Sequence, residues 1–141
     1  MSDAEPIVCG EGRDIRILLT RDEVTIVCGG YAAGERVAGA HVHNDHSDAF
    51  YVLEGELTLE LGCESEIVTV PAGGFVAVPP GVAHALRNDS DRPMRALSIH
   101  AGDGGFADFM RGIRDHVEVA WDIAPVPATG GLPASRATVK R

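Results

Sequence analysis

Two imidazoles stand two residues apart in His41-Val42-His43, within a run (residues 35–43) that reads as a β-strand. Alternate strand residues project to one face, roughly 6.6 Å apart along the chain. Both rings can therefore converge on one metal ion, with nitrogens about 2.0–2.1 Å from it. A third imidazole, His84, ends Pro79-Pro80-Gly81-Val82-Ala83-His84, just after another apolar run. A lone strand histidine is more often a hydrogen-bonded core residue, but three presented by the strands of one small barrel make a metal site the leading reading. A nitrogen-rich ligand set suits one divalent transition ion (Fe, Mn, Ni, Cu or Zn), and spacing does not choose among them.

Strands must aim those histidines, and the chain is rich in short ones. Val-, Ile- and Leu-rich runs occur at 15–19, 24–28, 35–43, 49–53, 57–61, 67–70, 75–78, 83–87 and 94–100. Leu57-Thr58-Leu59-Glu60-Leu61 alternates with period two, as a half-buried strand does. Turn signals fall at Gly29-Gly30, Glu54-Gly55, Leu61-Gly62, Pro71-Ala72-Gly73-Gly74 and Asn88-Asp89-Ser90-Asp91. This pattern predicts an all-β barrel or sandwich over residues 13–101, preceded by an N-terminal arm at 1–12. One helix is expected at 102–118. Phe106, Phe109, Met110, Ile113 and Val117 form its apolar stripe against the barrel, and Asp103 is its N-cap. Three prolines and Gly130-Gly131 predict an extended or disordered tail over 119–141.

With 12 basic and 21 acidic residues the net charge is −9, which disfavours nucleic acid and anionic membrane surfaces as partners. Cys9, Cys28 and Cys63 form no CxxC pair, so reduced thiols in a cytoplasmic protein are expected. Cys28 reads as a small core residue and Cys63 as an exposed turn residue. Met1-Ser2-Asp3-Ala4-Glu5-Pro6 has neither a basic nor an apolar signal region. No apolar run approaches the roughly 20 residues of a membrane span.

Taken together, the two histidine segments resemble the motifs of the cupin superfamily, in its small single-domain bacterial form. Motif one covers residues 34–55: His41-Val42-His43, four residues, Asp48, six residues, Gly55. Gly34, six residues before His41, is the nearest match to its first glycine. Motif two covers 73–88: Gly73, five residues, Pro79-Pro80-Gly81, two residues, His84, three residues, Asn88. The resemblance implies a jelly-roll β-barrel with an open mouth, and a metal on its inner wall held by His41, His43, His84 and a carboxylate.

At the carboxylate position this chain has Asp48 where the family has Glu, shorter by one carbon–carbon bond, roughly 1.5 Å. Direct ligation, ligation through water, and three protein ligands alone all stay open. His46 is a competing ligand, or an acid/base group at the mouth, since histidine titrates near neutral pH. In one phase of strand 94–100, Ala96, Ser98 and His100 line the interior while Leu97 and Ile99 face the helix; in the other, His100 is at the surface. His46 and His100 are thus the candidate catalytic pair. Phe50, Val52 and Ser98 are candidate pocket residues, with core filling as the competing reading for the first two. Asn88 is expected to turn or cap the chain, and His116 to lie exposed at the helix end.

The resemblance implies a small-molecule metalloenzyme, foremost a quercetinase-like dioxygenase acting on an enolised or phenolic substrate. A redox-neutral isomerase, decarboxylase or polyketide-cyclase-like enzyme is the alternative, and a non-catalytic small-molecule-binding barrel is the contrasting one. A homodimer is expected, with Tyr51 and Leu53 on the outward face.

Overall fold

Period-two burial organises this chain into two antiparallel sheets, seen in a computed structural model that describes residues 3–141. The strands are β1 (Glu5–Cys9), β2 (Arg13–Thr20), β3 (Val24–Tyr31), β4 (Arg36–His41), β5 (Ser47–Glu54), β6 (Glu56–Leu61), β7 (Glu66–Pro71), β8 (Phe75–Val78), β9 (His84–Arg87), β10 (Met94–Ala101) and β11 (Thr138–Lys140). The larger sheet runs β1-β2-β3-β10-β5-β8-β11 and the smaller β4-β9-β6-β7. Leu57, Leu59 and Leu61 alternate inward from β6 and meet Phe50, Val52, Val76 and Val78 of the larger sheet in a shared core. This is the all-β jelly-roll architecture that the strand pattern and motifs predict.

Seven strands face four, so β1, β2 and β3 overhang the smaller sheet. The helix α1 (Phe106–Asp115) covers the surplus. Its Phe106, Ala107 and Met110 pack with Ile7, Ile15, Ile17 and Val27 in a second core. Those sheet residues share the inner face, so the helix closes one end of the barrel interior and does not lie outside against Leu97 and Ile99. It is also shorter than residues 102–118. Asp103 stands two residues ahead of the N-cap, Gly105, and accepts the amides of Gly105 and Ala107. His116 ends the helix in the left-handed region, so Ile113 and Val117 of the stripe remain exposed.

Both chain ends are tied to the barrel. Within the N-terminal arm, whose residues 1–2 lie outside the described residues, β1 pairs with β2 because Ile7 buries against the helix. Of the two alternatives for residues 119–141, extended or disordered, the segment follows the extended one and is held to the barrel. Val42 bridges to Ala124 and Val82 to Gly131, Ala134 enters the main core, and β11 pairs with β8. The turn expected at Gly29-Gly30 is absent: β3 runs through it, and the Tyr31 ring fills the space where a Gly29 side chain would stand. Cys28 points to the outer face, half-buried beside the Arg95 guanidinium, rather than into the core. No helix among the described residues is long and apolar enough to cross a membrane.

Candidate metal centre

Strand register brings the candidate residues together from both sheets. His41 and His84 are cross-strand partners in β4 and β9. Asp48 and His100 are cross-strand partners in β5 and β10 on the facing sheet. His43 follows β4, and one ligand atom from each of His41, His43, Asp48 and His84 lies within 4.8 Å of the others. All four are at most 9% exposed.

Each of the three motif histidines turns Nδ1 toward a main-chain carbonyl: His41 to Gly39 at 2.7 Å, His43 to Asp122 at 2.7 Å, His84 to Val82 at 3.0 Å. A carbonyl only accepts, so Nδ1 carries the hydrogen and, in the neutral ring, Nε2 presents a lone pair. For His43 and His84 that lone pair faces Asp48 Oδ2, at 3.4 and 3.2 Å. The other carboxylate oxygen, Oδ1, is fully buried and accepts no hydrogen bond among the described residues. Acceptors thus converge with no neutral donor between them, an arrangement that a cation satisfies and that is costly without one. The residues present therefore fit a divalent metal, with fixed tautomers and supporting carbonyls of the kind that orient metal-binding histidines.

The electrostatics agree. Burial, and then the neighbouring His84, lowers the His41 pKa to about 4. Burial likewise lowers His100 to about 4 against the pull of Asp48. For His43 burial acts in the same direction, but its hydrogen bond to Asp48 prevails and raises it. Burial would raise the Asp48 carboxyl, yet His100, His43 and His84 together hold it well below the usual carboxylate range. The cluster accordingly holds an ionised carboxylate with His41 and His100 neutral near pH 7.

His46 and His100 occupy a second layer. His46 Nδ1 donates to the Asp122 carboxylate at 2.7 Å, and His46 Nε2 shares a hydrogen bond with His100 Nδ1 at 2.8 Å. His100 Nε2 then lies 3.4 Å from Asp48 Oδ1. His100 is therefore interior, stacked on Phe106 with ring centroids 3.6 Å apart. His46 is buried and linked to His100 rather than set in the motif quartet. Phe50 and Ser98 line a cavity of about 430 Å³ that opens onto Asp48 and His41. Val52 lies outside that lining, fully buried between the sheets, so it fills the core. Asn88 turns the chain, donating to the carbonyls of Ala32 and Arg92 and accepting from Ser90. His116 is exposed beyond the helix.

Two residues of this site escape sequence reasoning. Asp122 supports His43 through its carbonyl and holds His46 and the amides of Asn44 and Asp45 through its carboxylate. Trp121 stacks on Phe109 and packs beside His43 at 5.2 Å between ring centroids. The available signal was the lone tryptophan with an adjacent acid, set in an otherwise Pro- and Gly-rich segment.

Residues 30–100 match the family described as Cupin domain. Among solved structures, KdgF from Halomonas sp. is similar at 18% identity and TM-score 0.61, with 70% of this chain and 86% of that one covered. A RmlC-like cupin from Shewanella frigidimarina NCIMB 400 is similar at 24% identity and TM-score 0.61, covering 71% and 85%. An oxalate decarboxylase variant from B. subtilis is similar at 18% identity and TM-score 0.60, covering 72% of this chain and 28% of that one. At these identities the likenesses show the fold alone. No match was found among curated proteins.

Proposed function

Since the chain belongs to the Cupin domain family, we infer that His41, His43, His84 and Asp48 hold one divalent transition metal in a small-molecule enzyme. The observation that carries this reading is the convergence at Asp48: the Nε2 atoms of His43 and His84 stand 3.4 and 3.2 Å from one oxygen of a buried carboxylate whose other oxygen accepts no hydrogen bond among the described residues. A metal bound there would polarise a chelating substrate oxygen and, if redox-active, open the substrate to dioxygen. The favoured reaction class is a quercetinase-like dioxygenation of an enolised substrate, because the cavity leading to the centre is walled mainly by apolar side chains that exclude water.

The chain's own residues handle the proton. His100 Nε2 faces the centre beside Asp48 and is neutral near pH 7, so it can accept a proton from a substrate hydroxyl or α-carbon. His46 and the Asp122 carboxylate stand behind it in one hydrogen-bonded line. That line favours a second reading, a redox-neutral isomerase, decarboxylase or cyclase, for which proton transfer is the chemistry itself. A metal-free barrel that only binds a ligand is the remaining alternative.

Elemental analysis of the purified protein tests the centre: one equivalent of transition metal is expected, lost in His84→Ala. If no metal is present or taken up, and His84→Ala leaves ligand binding intact, the metalloenzyme reading fails. Oxygen uptake with flavonols or diketones separates the two reaction classes. A cytoplasmic protein fits the three free thiols, and a homodimer fits the exposed Tyr51 and Leu53; a monomeric mass by light scattering at micromolar concentration would count against the dimer.

A further inference from the structure

The cavity that opens onto Asp48 and His41 runs inward between the two hydrophobic cores. At about 430 Å³ it falls within the roughly 300–1,000 Å³ of small-molecule sites. Ile15, Val27, Phe50, Leu57, Met94 and Met110 are among its apolar lining residues. Away from the histidine–carboxylate centre, side chains with a polar group in this lining are few: Ser98, Arg13, Tyr31 and the indole of Trp121.

Tyr31 is placed by an unusual arrangement. It packs against both cores, and its ring lies across Gly29 on the inner face of β3. A Cβ at Gly29 would stand 2.7 Å from the ring and 2.8 Å from the hydroxyl oxygen, so only glycine leaves the ring this seat. The Arg13 guanidinium sits over the ring at 5.3 Å from its centroid. Arg13 itself is engaged by Glu35 Oε2 at 3.4 Å and by the Arg36 carbonyl. Its charge is therefore largely met, and it serves to hold the ring rather than to receive an anion. The Tyr31 hydroxyl, by contrast, has no hydrogen-bond partner among the described residues. Burial pushes its pKa up to about 12, so it is a standing donor at any physiological pH.

We propose that this cavity selects a compact molecule with an apolar ring or chain body, a chelating oxygen pair at the metal end, and a neutral oxygen acceptor that takes the Tyr31 hydroxyl hydrogen. Polyhydroxylated sugars and sugar acids are excluded, because the walls would strip water from their hydroxyls and return almost no hydrogen bonds. A carboxylate at the far end is disfavoured because Arg13 is already paired. Tyr31 is thus the specificity-determining residue of the site, and Gly29 its seat. The inference rests on the metal-centre reading for the chelating end only; the apolar body and the Tyr31 contact stand on the cavity itself.

The test is calorimetric binding to the metal-free and zinc-loaded protein of three probes: 1-phenylbutane-1,3-dione, its 4-methoxyphenyl analogue and D-gluconate. Both diketones are expected to bind and gluconate not. The methoxy probe should bind about 3- to 10-fold more tightly than its parent in both forms, the contribution of one hydrogen bond of roughly 0.5–1.5 kcal/mol. Tyr31→Phe, which keeps the ring on Gly29, should erase that preference while leaving the affinity of the parent diketone unchanged. Gly29→Ala should erase it as well by displacing the ring. Tighter binding of gluconate than of either diketone, or a methoxy preference that survives Tyr31→Phe, overturns the proposal. If zinc fails to strengthen diketone binding while the Tyr31 effect persists, the cavity proposal holds and the metal-centre reading is the one that falls.

Discussion

The carboxylate of Asp122 accepts a hydrogen bond from Nδ1 of His46 at 2.7 Å across 76 residues of chain. The same residue's carbonyl, 2.7 Å from His43 Nδ1, fixes which nitrogen of that ring looks into the barrel. The segment after the helix is therefore part of the centre, because it decides tautomer and orientation for a residue it does not adjoin in sequence.

Asp122→Ala tests this strap. It removes the acceptor of His46 and of the Asn44 and Asp45 amides, loosening the turn that carries His43. Zinc affinity by titration should fall about 10- to 100-fold, the usual consequence of losing an outer support. Asp122→Asn, which keeps one acceptor oxygen, should lose less. Zinc binding to Asp122→Ala as tight as wild type would show that the strap does not orient the ligands.

Asp48→Asn separates the two requirements placed on Asp48. In the metal-free protein it removes the anionic partner that raises His43, so the melting temperature should fall near neutral pH. Metal affinity should drop more than tenfold with the loss of an anionic ligand. Each tenfold loss removes about 1.4 kcal/mol of the stabilisation that saturating metal confers. A metal-induced melting shift equal to wild type would remove Asp48 from the ligand set.

How far the sequence carried the site is clear from these residues. His41, Asp48 and His84 are legible because each sits on a strand, where geometry converts spacing directly into facing direction, whereas His43 lies just past β4 and is read from its place in the motif. The phase of His100 is decided only by tertiary packing, when Phe106 stacks on its ring from inside the barrel. The same stripe that marks the helix says that it packs, not on which face of the sheet. Asp122 and Trp121 are illegible for a stronger reason: they act from irregular backbone, where no period links residue type to direction, and the partners of the Asp122 carboxylate lie more than 70 residues away. Tyr31 is hidden similarly, since Gly29-Gly30 reads as a turn until a ring is found lying on it.

The stability of the metal-free protein should peak near neutral pH and fall on acidification. His41 and His100, both lowered to about 4 from 6.5, refuse protons that the unfolded chain accepts between those values. The unfolded state then binds more protons, so stability rises with pH across that window, by up to about 1.4 kcal/mol per unit for each group. Asp48, held below its ordinary 3.8, adds stability that is present above that value and lost as pH falls beneath it. His43 has the opposite sign. Its raised pKa contributes stability fully present below 6.5 and lost as pH climbs through the raised value. Melting curves of chelator-treated protein from pH 4.5 to 8.5 check the shape, and a flat profile from 6.5 to 4.5 would contradict it.

Gly104 and Gly34 offer a matched pair for the packing behind His46. Both have positive φ, +63° and +77°, a region that costs other residues about 1–2 kcal/mol. At Gly34 a Cβ would meet nothing within 4 Å, so Gly34→Ala should lose only that backbone cost and melt a few degrees lower. At Gly104 a Cβ would stand 2.5 Å from His46 Nδ1 and 2.8 Å from its Cε1, and the Gly104 carbonyl accepts the Asp122 amide. Gly104→Ala must therefore push His46 from Asp122 or the helix from the barrel, and its melting temperature should fall further than that of Gly34→Ala. Its zinc affinity should fall too, through the displaced strap, whereas that of Gly34→Ala should not. Equal melting and equal zinc affinity in the two variants would mean that the contact between Gly104 and His46 is slack, and that the line from Asp122 to His100 is not held from the helix side.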